Sequence, residues 1–207
     1  PYGAVRSYQD VAATLSANLG RMPVMHVPDQ GDVGQSAAII FYLGTEHGLM
    51  GGNTFEAAQV LAVGEHVREM STAYRAVVPY GSVPTAEQVE DWFESGVQDR
   101  GTVPADMKTR GQRRLKWWLG RIEDALAGDD GCCVGSSLTV ADLLVYCTLA
   151  DSFDDDALPQ HAREPFGSKE RTSAALKDFP KLSAVCAAVA SNANVAKWLA
   201  TRGPQRF

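Results

Sequence analysis

The spacing of apolar residues changes near residue 50, and this change limits the folds that the chain can adopt. Before it, residues 22–27 predict a short strand, residues 28–32 a turn, and residues 36–43 a helix that ends near Gly44. After it, every periodic segment repeats its apolar residues at helical spacing. The sequence therefore predicts a small α/β unit followed by an all-helical region.

The helical region shows two capping-box patterns, in which a Thr is followed three residues later by a side chain that can bond back. These are Thr85 with Gln88, and Thr139 with Asp142; Leu138 and Leu143 flank the second pattern as a hydrophobic staple would. The predicted helices cover residues 54–78, 85–95, a stretch after Pro104 that ends at Gly128, 139–153, 180–191 and 195–202, with a shorter one at 173–177 in a long polar loop.

Composition excludes several classes of protein. Apolar residues make up 45% of the chain and charged residues 21%, which is ordinary globular usage, and no run of apolar residues predicts a membrane span. The net charge of −6 disfavours binding to nucleic acid, which depends on Lys and Arg. One basic run, residues 110–121, leaves two interpretations: a patch for nucleic acid or a partner, or an amphipathic helix with a solvated basic face.

The four cysteines are Cys132, Cys133, Cys147 and Cys186, and none has the C-x-x-C spacing of a metal or redox site. We therefore predict no metal. Cys147 and Cys186 lie in apolar helical stretches, where a free thiol usually behaves as a small buried hydrophobe. The adjacent pair Cys132 and Cys133 leaves a redox role as an alternative. Reduced thiols favour the cytoplasm or another reducing intracellular compartment.

Four motifs in this order resemble the cytosolic glutathione transferase family, and most of all its sigma class: residues 20–24, 34–39, 48–54 and 137–142. Residues 179–182 and 195–199 are similar to the last two helices of that family. The resemblance implies the glutathione transferase fold. A thioredoxin-like, glutathione-binding domain would cover residues 1–47 and an all-α helical bundle would cover residues 54–207.

The resemblance also implies a glutathione site. The Met22–Pro23 bond would be cis, and the backbone of Met22 would pair with the cysteinyl backbone of glutathione. Gln35 and Ser36 would hold the γ-glutamyl carboxylate at a helix start, where free N–H groups favour an anion. The alternatives are that Pro23 merely starts an edge strand and that Ser36 is simply an N-cap.

Glu65 falls near the place of an acidic residue that, in the family, reaches across a homodimer to the amino group of glutathione. The alternative is an exposed helical Glu. Two family residues, a Trp and a Lys that contact the glycyl carboxylate, have no counterpart before Pro23. We expect Arg21 to be the side chain that could replace the lost charge.

The stretch from Pro1 to Arg6 resembles the second strand of the family, so the thioredoxin-like domain would be incomplete, without its first strand and helix. The catalytic Tyr or Ser of the family lies on that missing strand. No catalytic residue is therefore assigned, and neither Tyr2 nor Tyr8 can take the role. We expect the natural polypeptide to begin upstream of Pro1, or another chain to supply the strand, because an interior strand leaves unpaired backbone groups when it is removed.

Two functions follow from the resemblance. The first is a glutathione transferase that conjugates glutathione to a small hydrophobic electrophile or isomerises a lipid peroxide, with an acceptor pocket near Tyr74, Tyr80 and Trp118. The second is a catalytically inactive subunit, kept as a dimerisation or partner-binding module, because fold alone does not fix activity.

Overall fold

The computed structural model describes residues 12–96, 111–152 and 164–202 of the chain. The chain divides into two compact units, one ending at Met50 and the other beginning at Gly51. The first unit is a small sheet with helices, and the second is all-helical where it is described. The segment predicted to resemble a second strand lies outside the described residues.

The first unit contains a hairpin and one long helix. A 3-10 helix over Ala12–Asn18 precedes strand β1, Val24–Val27, which pairs antiparallel with strand β2, Gly31–Gly34. Helix α1, Ser36–Glu46, follows directly. A side chain at Gly34 would meet the carbonyl oxygen of Ala17 at 2.5 Å, so glycine lets the 3-10 helix lie close against the hairpin.

Strand β2 was not predicted, and α1 is longer than expected. The four residues of β2 include two glycines and one apolar residue, so their intrinsic preference for a strand is weak. The backbone hydrogen bonds to β1 stabilise β2 despite this weak preference. Helix α1 continues through Gly44 to Glu46, because an interior glycine costs a helix only about 1 kcal/mol and does not end it.

The second unit is a helical bundle. Its centre is α2, whose buried residues recur every three or four positions as an amphipathic helix requires. Helix α2 packs against α4 and α5, and α5 packs against α7 on its other side. The helices are α2 Thr54–Val77, α3 Ala86–Glu94, α4 Leu115–Ala125, α5 Val140–Leu149, α6 Lys169–Leu176, α7 Pro180–Ser191 and α8 Ala193–Thr201.

Three predicted boundaries in this unit are wrong. Helix α5 ends at Leu149 and not at 153; the carboxylate of Asp151, just beyond it, is held by a bidentate ion pair with Arg202. Helix α6 starts at Lys169, well before residue 173, because the Ser168 hydroxyl caps it by accepting the N–H of Arg171 at 3.2 Å. Helix α4 ends at Ala125, three residues before the predicted glycine stop.

A fully buried carboxylate fixes the start of α5. Asp142 accepts the backbone N–H of Cys133 at 2.5 Å and both the N–H and the hydroxyl of Thr139 at 2.6 Å. The predicted capping box at Thr139 is therefore confirmed. It is more than a helix cap, because the same side chain also holds the loop that carries Cys133.

A second buried carboxylate caps α7 from another helix. Glu123 on α4 accepts the backbone N–H groups of Lys181 and Leu182, at 2.9 and 2.8 Å. Pro180, which has no N–H to satisfy, occupies the first position of α7. The free donors at this helix start are thus satisfied by a side chain 58 residues earlier in sequence.

We predict that Asp142→Ala lowers the free energy of unfolding by about 2–6 kcal/mol, because the buried N–H groups of Cys133 and Thr139 lose their acceptor at about 1–3 kcal/mol each. Thr85→Ala, which removes the exposed capping box of α3, should cost only about 1 kcal/mol. Urea denaturation followed by circular dichroism measures both. Asp142→Asn keeps one acceptor and should lie between them; equal losses for Asp142→Ala and Thr85→Ala would contradict this account.

Candidate functional site

The hairpin brings the two sequence motifs of the first unit to the same end of its sheet. Val24 at the start of β1 is the pairing partner of Gly34 at the end of β2. Pro23 and Gln35 are the next residues outward on each strand. Adjacent strands lie about 4.7–4.9 Å apart, so two segments twelve residues apart in sequence become neighbours in space.

The Met22–Pro23 peptide bond is cis, as predicted. The Met22 side chain is 76% exposed, and no described residue hydrogen-bonds to the Met22 backbone. Asn18 stabilises the turn, since its side-chain amide donates to the carbonyl oxygen of Pro23 at 3.0 Å. The N–H and C=O of Met22 are therefore available to a ligand that presents an extended peptide backbone.

The start of α1 lies beside this turn and is uncapped. Gln35 occupies the N-cap position with φ of 72° and ψ of 125°, and its side chain makes no capping hydrogen bond. No described residue accepts the N–H groups of Ser36, Ala37 or Ala38. The alternative that Ser36 is the N-cap is wrong, since Ser36 is already the first helical residue and its side chain is exposed.

This open helix start differs from most others in the described chain. A side chain caps six of the eight described α-helices: Asn53, Thr85, Thr139 with Asp142, Ser168, Glu123 and Asn192. Only α1 and α4 begin without one. Free N–H groups at the positive end of the helix dipole attract an anion, and a carboxylate there would replace the missing cap.

Glu65 lies on an exposed face of α2, in the second unit. Its carboxylate forms an ion pair with Arg68 one turn later, which also raises the pKa of the Arg68 guanidinium. Leu61, one turn earlier, leaves 44% of its surface exposed. The structure thus gives Glu65 a partner within its own helix, which a ligand amine would have to share or displace.

The three residues expected near an acceptor pocket differ in exposure. Tyr74 is only 5% exposed and packs edge-on against Trp92 and Phe166, at ring-centroid distances of 5.2 and 5.0 Å. Trp118 is buried on α4 against Trp117. Tyr80 is 84% exposed, and the guanidinium of Arg75 lies over both its ring and that of Tyr74. Tyr74 and Trp118 belong to the core of the helical unit, and the acceptor pocket stays a prediction.

Two arginines of the basic run, Arg113 and Arg114, contact other side chains of the helical unit. Against the partial burial of the Asp91 carboxyl on α3, an ion pair with Arg114 at 2.8 Å helps to lower the pKa of that carboxyl. The guanidinium of Arg113 lies over the ring of Trp117, 4.2 Å from its centroid. These two arginines therefore serve contacts within the bundle; Arg110 lies outside the described residues.

All four cysteines are free thiols. Burial raises the pKa of Cys186 to about 12 and raises that of Cys133 further, with Asp142 adding to the second shift. Burial and nearby acidic groups also raise the pKa of Cys132. A redox thiol needs a lowered pKa, so these shifts oppose the redox alternative. Cys147 is exposed at the surface, which corrects the prediction that it is buried, although partial burial of its sulfur and the nearby Asp151 carboxylate raise the pKa of its thiol as well.

The comparisons with known proteins identify the family. The profile described as "Glutathione S-transferase, C-terminal domain" matches residues 98–202, half of the chain. The chain belongs to the glutathione S-transferase family. "Probable glutathione S-transferase 7" of Caenorhabditis elegans is 29% identical over 191 residues, covering 92% of this chain and 78% of that protein. "S-crystallin 2" of Octopus vulgaris is 23% identical over 189 residues, covering 90% and 77%.

Solved structures of the family share the fold. A Nu-class transferase from Haemonchus contortus superposes with a TM-score of 0.63 at 23% identity, covering 97% of this chain and 81% of that one. Rat hPGDS complexed with a quinoline gives a TM-score of 0.62 at 18% identity, with the same coverage. These likenesses establish the architecture, and the roles of individual residues rest on the geometry above.

The described residues contain no helix that is both long and apolar enough to cross a bilayer. They also contain no group of three or more His, Cys, Asp or Glu side chains placed to hold a metal ion.

We predict that iodoacetamide at pH 8 modifies the exposed Cys147 in the folded protein but leaves Cys133 and Cys186 unmodified until the protein is unfolded in urea. With a pKa of about 12, the Cys186 thiolate fraction at that pH is about 10⁻⁴, and burial blocks access as well. Peptide mass spectrometry reports each site.

The same shifts set a pH dependence of stability. A thiol whose pKa is raised by folding stabilises the folded state while it is protonated. This stabilisation is complete below the thiol pKa of the unfolded chain, about 8.5, and is lost as pH rises above it. The free energy of unfolding should therefore fall above about pH 8.5. Rapid alkylation of Cys186 in the folded protein would contradict both its burial and its pKa.

Proposed function

We propose that this chain binds glutathione through the Met22 backbone, the turn at Pro23 and the α1 start at Gln35 and Ser36. The observation that supports the proposal best is the hairpin register, in which Val24 pairs with Gly34 and so makes the two motifs neighbours. Glutathione presents both a peptide backbone and an anionic γ-glutamyl carboxylate. An extended backbone edge beside an uncapped helix start offers a partner for each.

The backbone of Gln35 supports this assignment. Its positive φ places a non-glycine residue in a region that costs about 1–3 kcal/mol, and such outliers cluster at ligand-binding positions. The conformation turns the chain from β2 directly into α1 and leaves the first-turn N–H groups of the helix uncovered. In this proposal residues 1–47 carry the glutathione site and residues 54–207 form the helical domain.

The proposed activity is that of a sigma-like glutathione transferase. The glutathione sulfur, as thiolate, would form a bond to an electrophilic carbon of a small hydrophobic acceptor while the leaving group departs with its bonding electrons, or would isomerise a lipid peroxide. Family membership supports this chemistry. The four free thiols support a reducing compartment such as the cytoplasm.

A second candidate is a glutathione-transferase-like subunit that does not catalyse transfer and serves as a dimerisation or partner-binding module. The ion pair of Glu65 with Arg68 favours it, because a carboxylate engaged within its own helix is less available to a ligand amine. The absent Trp and Lys before Pro23 favour it as well. In this case glutathione would bind weakly and would not be conjugated.

We predict that replacing both Gln35 and Ser36 by Ala abolishes retention on glutathione resin and conjugation of glutathione to 1-chloro-2,4-dinitrobenzene. The stability change should stay within about 1–2 kcal/mol, because neither side chain makes a capping hydrogen bond. Elution by free glutathione measures specific retention, and absorbance of the thioether measures conjugation.

Gln30→Ala is the matched control, since Gln30 is exposed in the turn at the other end of the same hairpin. It should leave retention and conjugation unchanged. Retention of the double variant at the wild-type level would disprove the site. Retention of the wild-type protein without any conjugation would select the inactive subunit over the transferase.

We also propose a homodimer in which Glu65 faces the glutathione of the partner. Glu65→Ala should then weaken glutathione binding by about tenfold or more, the size of a lost charge-assisted hydrogen bond. Glu69→Ala, one turn away and exposed, should leave binding unchanged. Calorimetry measures the affinities, and light scattering at micromolar concentration measures the mass.

The Glu65 carboxylate pairs with Arg68 and, in this proposal, also contacts the ligand. Arg68→Ala distinguishes these two roles, since it removes the partner that competes with the ligand for Glu65. It should strengthen glutathione binding if Glu65 contacts the ligand. A monomeric mass, or equal effects of Glu65→Ala and Glu69→Ala, would remove Glu65 from the site.

A further inference from the structure

Asn18 is the last residue of the 3-10 helix that precedes the hairpin, and its side chain contacts both strands at one end of the sheet. Its amide donates to the carbonyl oxygen of Pro23, just before β1, at 3.0 Å. On the other strand, a side chain at Gly34, the last residue of β2, would come within 2.6 Å of the Asn18 Cβ, so Asn18 packs directly against the Gly34 backbone. One side chain therefore touches both segments that carry the proposed glutathione contacts.

The groups proposed to face the ligand lie next to these two contacts. Met22 directly precedes Pro23, and Ser36 lies two residues after Gly34. Asn18 is only 3% exposed, whereas Met22 and Ser36 are exposed. Asn18 therefore presents no surface to a ligand, and it can influence binding only through the backbone that it holds.

Asn18 also closes the turn that leads into β1. Its backbone carbonyl accepts the N–H of Arg21 at 3.0 Å, and its side chain reaches Pro23, so two hydrogen bonds from one residue span residues 18–23. Asparagine is suited to this task, because its short amide can bond to backbone groups a few residues away. Met22 lies inside the span, so the position of its N–H and C=O depends on both bonds.

Stability alone does not explain an asparagine at this position. The side-chain oxygen of Asn18 is buried and has no hydrogen-bond partner in the described chain. The amide cannot turn over to find one, because its oxygen would then face the carbonyl oxygen of Pro23. A buried acceptor without a donor lowers stability, and an apolar side chain would avoid that loss. Pro23 is exposed, so water can hydrate its carbonyl oxygen when the amide is absent.

We infer that Asn18 is a positioning residue for glutathione binding, an inference that rests on the proposed function. Its amide holds Pro23, and its packing against Gly34 holds the end of β2. The Met22 backbone and the first-turn N–H groups at Ser36 therefore keep one separation. Glutathione engages both sets of groups at once, so a fixed separation reduces the conformational entropy that is lost on binding.

The test replaces Asn18 by two apolar side chains and first measures stability. Asn18→Leu keeps the branch point and replaces both polar atoms by methyl groups, whereas Asn18→Ala removes them without adding volume. Each variant loses the bond to Pro23 but also loses the unpaired acceptor, so the two effects on stability oppose each other. We expect the melting temperature, followed by circular dichroism, to stay within about 4 °C of the wild-type value.

Glutathione affinity should fall at least about tenfold in both variants, because the two sets of ligand-facing groups no longer keep one separation. Isothermal titration calorimetry of the full chain measures the affinity. In the ligand-free protein, the backbone amide resonances of Met22 and Ser36 should shift in both variants. Ser16→Ala is the matched control, since it removes a polar atom from an exposed position of the same 3-10 helix. It should leave all three measurements unchanged.

The results distinguish a failure of this inference from a failure of the glutathione site. Glutathione binding at the wild-type affinity by either folded variant, or unshifted Met22 and Ser36 resonances, would overturn the role of Asn18 alone. A large fall in melting temperature with unchanged affinity would show a purely structural role and would overturn it as well. No glutathione binding by the wild type would overturn the proposed function and, with it, this inference.

Discussion

The helical unit depends on a carboxylate removed from water. The side chain of Asp142 is accommodated inside the protein because three donors, from Cys133 and Thr139, surround it. Those donors come from a loop and a helix start, so these hydrogen bonds fix both relative to α5. Since α5 lies between α2 and α7, its placement positions the helices on either side. Glu123, on α4, positions α7 in the same way, because its carboxylate accepts the first N–H groups of α7.

In the first unit, by contrast, several backbone groups have no hydrogen-bond partner in the described chain. Its hairpin ends where the Met22 backbone and the first turn of α1 have no partner in the described chain. Unsatisfied donors are tolerated at a surface, where water replaces the protein acceptor, and they bind a ligand when it offers a better one. Six helices of the bundle begin with a side-chain cap, whereas the helix that follows Gln35 has none; in our proposal this open start receives the carboxylate of the ligand.

Charged side chains in the bundle also fall into two groups, those with a partner of opposite charge and those without one. Asp151 and Arg202 form a largely buried bidentate pair, at 2.6 and 2.7 Å, which ties the end of α8 to the end of α5. Burial makes each of these charges dependent on the other. The ammonium groups of Lys169 and Lys177, both on exposed residues, form no such ion pair with a described residue.

The sequence by itself determined the succession of an α/β unit and a helical bundle and the capping boxes at Thr85 and Thr139, because each of these is encoded in a few neighbouring residues. The cis bond before Pro23 followed only from the resemblance of four motifs to the family. Tertiary structure alone decided the rest. Strand β2 has weak intrinsic propensity and exists through its pairing with β1; Tyr74 and Trp118 became core because neighbouring helices cover them. Long-range contacts, such as the hydrogen bonds that Glu123 of α4 accepts from α7, leave no local pattern because their partners are distant in sequence. Only the folded chain reveals them.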